Sequence, residues 1–154
     1  MPKFALELRA ELENVTEVVV SSPLVLSLRQ SGGTEERHDV EVDPNEEEAE
    51  VFGSKGTAHF VMKWDKKDKF EATLKVISPI SPLTESSKWT RIVTFETRGL
   101  DVVKYTPKSA LVVGVKDRFP DADISDLQDG FSEYDEKAEL AVGLTELECR
   151  IVAI

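Results

Sequence analysis

Thiol and imidazole donors are almost missing: 154 residues include one cysteine, Cys149, and two histidines, His38 and His59. A structural zinc site takes four such ligands in a tetrahedron, so one chain cannot assemble it from this inventory. A lone cysteine also excludes an intrachain disulfide and fits a reducing, cytoplasmic setting. Long apolar runs are absent. No stretch approaches the roughly 20 residues of a membrane-spanning helix, and Met1-Pro2-Lys3-Phe4-Ala5-Leu6-Glu7 meets charge too early for a secretory signal. Positive charge is scarce, with 19 Lys and Arg against 30 Asp and Glu and a net charge of −11. Such a balance repels polyanions, which argues against nucleic acid and anionic membranes and for proteins with basic surfaces as partners. Signs of catalysis are lacking as well: no G-x-S-x-G elbow is present, and no nucleophile, base and orienting group can be named together. The chain is therefore read as no enzyme.

What is present is a well-solvated globular composition, 40% hydrophobic and 32% charged, of a length suited to one folding unit spanning 1–154. Period-two alternation dominates. Phe4, Leu6 and Leu8 oppose Glu7 and Arg9, and Ile92, Val93 and Phe95 interleave with Thr94 and Glu96, as half-buried strands do. Further strands are expected at Val18–Val20, Val40–Val42, Glu71–Ile77, Val102–Tyr105, Ala110–Val115 and Leu144–Ile154. The one helical contender, Tyr134–Ala141, has good helix formers but is closed by Val142-Gly143 after about two turns, so a short helix and a polar strand both remain open. Ser78–Ser87, rich in proline and serine, reads as a connector between a first half, 1–77, and a second, 88–154. The two halves echo each other: Leu6–Val18 and Ile92–Val103 each run as an alternating strand, a polar break and a second apolar stretch. The expected fold is all-β, two similar small antiparallel sheets or barrels packed together with at most a short helix.

Two turns have the setting of a zinc knuckle without its ligands. Gln30-Ser31-Gly32-Gly33 follows the strand-like Leu24–Leu28, and Trp64-Asp65-Lys66-Lys67 follows His59–Lys63. Gly53-Ser54-Lys55-Gly56 has the wrong spacing for a phosphate loop and reads as a turn. Asp43-Pro44-Asn45-Glu46-Glu47-Glu48 reads as a turn leading into a solvated acidic loop. The carboxylates of Asp121–Gly130 lack the register of an EF-hand and read as a solvated loop. Alternation places Leu147, Cys149 and Ile151 on one strand face, making Cys149 a packed thiol and not a nucleophile.

Five stretches in order, Ala5–Thr16, Gly53–Lys63, Thr94–Leu100, Tyr134–Ala138 and the terminal strand after Gly143, resemble the eukaryotic CXXC-motif-containing zinc-binding proteins, also called the DUF866 or UPF0587 family. The resemblance covers nearly the whole chain. It implies a small cytoplasmic all-β protein whose first half holds zinc through two CxxC turns, and it places Gln30 and Gly33 at the first cysteine pair and Trp64 and Lys67 at the second. An amide, a glycine, an indole and a protonated amine cannot replace four thiolates, so zinc binding does not carry over and no cofactor is expected. Trp64 then either packs over the hairpin ends or stands exposed as a binding anchor beside Lys66 and Lys67. Arg98 either bridges strands by pairing with an acid such as Asp135, with Tyr134 tethering a loop, or joins Trp89, Tyr134 and Asp135 in a partner-binding surface. The resemblance further suggests a co-chaperone acting with a zinc-finger chaperone in the folding of translation elongation factor 1-alpha. The rival reading is a metal-handling protein or metallochaperone partner. The expected outcome of elemental analysis is less than stoichiometric zinc in the purified chain, with unchanged folding in chelator; one zinc per chain, or unfolding on chelation, contradicts it.

Overall fold

The computed structural model describes residues 2–45, 49–50 and 57–154. The turn expected at Gly53–Gly56 and the acids Glu46–Glu48 lie outside the described residues. Fourteen strands follow in order: β1 Lys3–Glu13, β2 Val15–Val20, β3 Leu24–Gln30, β4 Glu36–Val42, β5 Ala49–Glu50, β6 Thr57–Ala58, β7 Phe60–Met62, β8 Ala72–Val76, β9 Thr90–Arg98, β10 Leu100–Tyr105, β11 Ser109–Gly114, β12 Arg118–Asp123, β13 Phe131–Asp135 and β14 Leu140–Ala153. No helix occurs among the described residues. Each segment expected to be extended on alternation is extended, because the apolar set of each strand finds a core to face.

The largest sheet has the order β13-β14-β1-β9-β8-β7, with three-stranded sheets β10-β3-β4 and β12-β11-β2 packed on it and a two-stranded β5-β6 pair. Its centre is the antiparallel pairing of β1 with β9, Phe4 opposite Phe95 and Leu6 opposite Val93. Around this pair the order of elements repeats. β1 ends at Asn14 (φ 54°) and β9 at Gly99 (φ 73°). These left-handed residues turn the chain into β2 and β10, which leave the large sheet for the small ones. Partners are then exchanged: β2 of the first half takes the β11–β12 hairpin of the second, while β10 of the second takes β3–β4 of the first. Likewise β8 closes on β9, and β14 on β1. The halves are thus packed together by interleaving and not as two free-standing sheets.

One hydrophobic cluster spans both halves, with Leu6, Leu26, Leu28, Leu74, Phe95, Leu100, Ile124 and Leu144 shut off from solvent. Burying each such side chain contributes about 1.5–3 kcal/mol. The segment 78–87 is an irregular connector, held by reciprocal Val18–Leu83 backbone bonds of 2.8 Å. Its serines also serve strand amides, Ser86 Oγ accepting from Leu12 N–H at 2.9 Å and Ser78 Oγ from Thr94 N–H at 2.9 Å.

The helical option for Tyr134–Ala141 loses to a hairpin. Tyr134 pairs with Ala141 and Asp135 with Leu140 across a turn that passes through Glu139 at φ 55°. Asp135 is fully buried and accepts the backbone N–H groups of Lys116 (2.7 Å), Asp117 (3.0 Å) and Ala138 (2.9 Å). It therefore ties the β11–β12 turn to the β13–β14 turn, and the expected pairing of Arg98 with Asp135 is not formed. Burial opposes the charged carboxylate, but the backbone donors outweigh it and hold the carboxyl below its ordinary value of 3.8. A folded-state value lowered in this way adds stability above the unfolded-state value and loses it as pH falls toward the folded one. Asp135→Asn should accordingly melt lower at neutral pH and lose less further stability than the parent below about pH 4. Melting curves of the two proteins from pH 7 to pH 2 check this, and parallel curves exclude it.

Candidate functional site

The two ligand-free turns meet at the corner between β9 and β10. Gln30 ends β3, and the turn closes through Gly33 N–H donating to Gln30 O at 3.0 Å, with Gly32 at φ 72°. The second turn organises itself around acids: Asp65 accepts from Lys67 N–H at 2.9 Å through its side chain, and Asp68 from Asp65 N–H at 3.1 Å. Both turns reach one acceptor. The Gly99 carbonyl takes the Trp64 indole Nε1–H at 2.8 Å and lies 3.4 Å from the donating Ser31 N–H. A side chain at residue 99 would be strained at its positive φ, and its Cβ would press to 3.3 Å from that of Ala72.

Trp64 is 9% exposed and belongs to the core cluster. This corrects the reading of Trp64 as an exposed anchor: the indole is a plug whose N–H is satisfied inside the protein and whose ring is covered by the Arg37 guanidinium at 5.5 Å. Lys66 and Lys67 stand exposed beside it. Arg98 is exposed too, 5.4 Å over Phe70, an apolar ring 47% exposed. Gln30, Trp64, Phe70, Arg98 and Gly99 line a shallow cleft of ≈ 350 Å³. The donor set does not fit zinc. Gln30, Gly33, Trp64 and Lys67 supply no thiolate or imidazole, and no group of three or more His, Cys, Asp or Glu converges among the described residues. His59 is engaged elsewhere, its Nδ1 accepting Val76 N–H at 3.0 Å.

The remaining expected contact residues do not gather into one surface. Tyr134 is 52% exposed on the edge strand β13, at the opposite end of the large sheet from β7. Asp135 on the same strand is buried and unavailable to a partner. Trp89 lies just before β9, half-buried and stacked by Arg150 at 4.0 Å and Arg9 at 4.8 Å. Those arginines are fixed in turn by Glu7 (2.7 Å from Arg150) and Glu148 (2.7 Å from Arg9). Cys149 is half-buried, and burial pushes its thiol up to about 12, which disfavours a nucleophilic thiolate.

Sequence reasoning missed two clefts. Phe119 and Phe131, 5.6 Å apart, floor one of ≈ 550 Å³ rimmed by the exposed acids Asp121, Asp123 and Glu133. The other, ≈ 540 Å³, runs between Trp89, the 104–108 segment and β14. Only acidic clustering in 121–129 hinted at the first, and its carboxylates also order their own loop: Asp123 accepts from Ser125 N–H at 2.9 Å and Asp126 from Gln128 N–H at 3.1 Å.

Trp64→Ala should leave the Gly99 carbonyl one donor short and open a cavity, costing about 3–5 kcal/mol. Chemical denaturation measures this, and a loss below about 1 kcal/mol would show that the indole does not plug the corner.

Comparison with known proteins gives this architecture its relatives. The profile described as "CXXC motif containing zinc binding protein, eukaryotic" matches residues 5–152. A UPF0587 protein of Schizosaccharomyces pombe is 30% identical over 156 residues, covering 98% of each chain. The human CXXC motif containing zinc binding protein is 28% identical over 154 residues, covering 96% of each. A hypothetical protein from Plasmodium falciparum shares the fold, with a TM-score of 0.88 at 24% identity over 99% of this chain and 100% of that one. With one cysteine in its sequence, and so without a CxxC pair, the chain belongs to the eukaryotic CXXC motif containing zinc-binding protein family.

Proposed function

We propose that the chain is a non-enzymatic, cytoplasmic protein-interaction module that docks a basic segment of its partner. The observation that carries this reading is the acidic cleft between β12 and β13. Asp121, Asp123 and Glu133, against the single cation Arg118, surround Phe119 and Phe131 there, joining a net negative rim to an apolar aromatic floor in a chain of net charge −11. A lysine- or arginine-bearing segment satisfies both features, its charge meeting the rim and its aliphatic stems the rings. The concrete form we propose is the co-chaperone role that the family resemblance suggests, in which this chain acts with a zinc-finger chaperone on elongation factor 1-alpha. A metal-handling role gains no support from the donor set at the two turns. No group in the described clefts combines nucleophile, base and orienting partner, which supports a binding role over an enzymatic one.

Electrostatic docking makes association sensitive to salt, because the field of exposed charges is screened over about 10 Å at 0.1 M. Stopped-flow mixing with the elongation factor and its chaperone should show association slowing as salt rises, with dissociation changing less. Asp121→Asn combined with Glu133→Gln should slow association further without moving the melting transition. An association rate indifferent to salt and to both substitutions sinks the acidic-cleft reading.

A further inference from the structure

The ladder along β14 is incomplete on one side. β1 pairs with it from Gly143 to Ala153, but β13 covers the other edge only from Leu140 to Leu144. Two loop contacts extend that cover, Gln128 O accepting from Glu146 N–H at 3.1 Å and Leu127 O from Leu147 N–H at 2.7 Å. Beyond Leu147, this edge has no ladder partner among the described residues. Glu146, at φ 50°, marks the irregularity where the cover ends.

The second cleft begins at that point. Leu147, Glu148 and Cys149 form one wall, Trp89 and the 104–108 segment the others, and Leu127, 45% exposed, the lip. Its volume of ≈ 540 Å³ falls within the roughly 300–1,000 Å³ of ordinary ligand sites. Trp89 is a preset wall, since the paired arginines on its ring hold it before anything binds. The rim has the charge least expected of this acidic protein. Lys104 and Lys108 are exposed, and neither forms a close ion pair among the described residues, although the Lys108 charge is felt by the Asp123 carboxylate. Glu148, the carboxylate in the lining, is neutralised by Arg9 at 2.7 Å.

We propose that this cleft takes an extended acidic peptide segment bearing a bulky apolar residue, which adds a strand beside β14 while its anchor enters against Trp89 and Leu127. A strand edge without a ladder partner selects an extended backbone, the apolar walls select the anchor, and the two lysines select flanking Asp or Glu. Neither of the other two clefts combines these three features: that of Phe119 sets three acids against Arg118, and that of Trp64 sets Asp68 and Glu71 against Arg98. The inference deepens the interaction reading, on which it rests, and is independent of the acidic cleft.

The test uses the full chain and three synthetic hexapeptides: Asp-Glu-Leu-Phe-Asp-Glu, the same with Ser-Ser for Leu-Phe, and Lys-Lys-Leu-Phe-Lys-Lys. Calorimetric titration should give at least tenfold tighter binding of the first than of either other. Trp89 emission should shift on saturation. Lys104→Glu with Lys108→Glu should weaken the first peptide at least tenfold at an unchanged melting temperature, and N-methylation of alternate peptide amides should weaken it comparably. Asp121→Asn with Glu133→Gln should leave peptide affinity unchanged, so this inference and the acidic-cleft proposal fail separately. No binding of the first peptide, equal binding of the lysine peptide, or indifference to the lysine reversals overturns the assignment.

Discussion

The antiparallel pairing of β1 with β9 is the constraint on which the rest of the molecule depends. It places the opening strands of the two halves side by side, so every later element of one half is delivered next to the other half. β8 can close only on β9, and β14 only on β1, which builds the six-stranded sheet outward from its centre. Because Asn14 and Gly99 then turn β2 and β10 away from that sheet, each exposes an edge that the opposite hairpin covers. A strand edge left bare would invite association, and reciprocal exchange is how this fold avoids it over most of its length. The cost is non-local topology: the β1–β14 pairs join residues more than 125 positions apart, so loop closure comes before most of the ladder can form.

This organisation explains how packing can hold a corner whose two turns supply no thiolate or imidazole. A structural zinc in a small finger peptide contributes about 10–16 kcal/mol of apparent binding energy. A neutral hydrogen bond such as that from Trp64 to Gly99 contributes about 0.5–1.5 kcal/mol net, with burial of a large apolar side chain adding about 1.5–3. The indole therefore does not match a metal cross-link in energy. It need only fill the space and satisfy the Gly99 carbonyl, because β3 and β4 are already secured by β10 and the shared core. What the indole supplies is geometry, since its N–H and that of Ser31 bring both turns to one acceptor, the Gly99 carbonyl.

Much of this fold was legible in the sequence because alternation is a local signal. Leu6 and Leu8, Val93 and Phe95, and Ala110 and Val112 face the core as their spacing predicts, while Ile92 joins them through a register shift in the β1–β9 ladder. The turns at Gln30–Gly33 and Trp64–Lys67 could be placed for the same reason. The exchange of hairpins was not legible, because patterning reports which face of a strand is buried and not which strand lies beside it. Tyr134–Ala141 misled as a helical candidate because propensity is weaker than the ladder and the buried Asp135 carboxylate that hold the segment as a hairpin. Of the two readings of Trp64 it is the packed one that the structure shows, and Asp135, expected either to pair with Arg98 or to join a contact surface, is internal as well. Aromatic or charged identity alone did not reveal that each had a backbone partner inside the fold.

Charge at the two uncommitted clefts is arranged against the mean of the chain in one case and with it in the other. At long range the protein presents a net charge of −11, which draws basic surfaces toward it and repels acidic ones. At short range Lys104 and Lys108 reverse the sign beside the uncovered end of β14. An acidic segment can therefore enter that cleft only against the overall field, so its association is slower and its affinity must come from contacts that retard departure: the apolar anchor and the added ladder bonds. A basic segment has the opposite balance, quick to arrive and held at a rim where solvent weakens each ion pair. The 123–130 loop separates the two clefts, with Asp123 and Gly130 on one and Ser125 and Leu127 on the other. Asp123 and Asp126 also accept the backbone N–H groups of Ser125 and Gln128, which fixes the loop as a boundary between the two clefts while leaving the carboxylate charges in place.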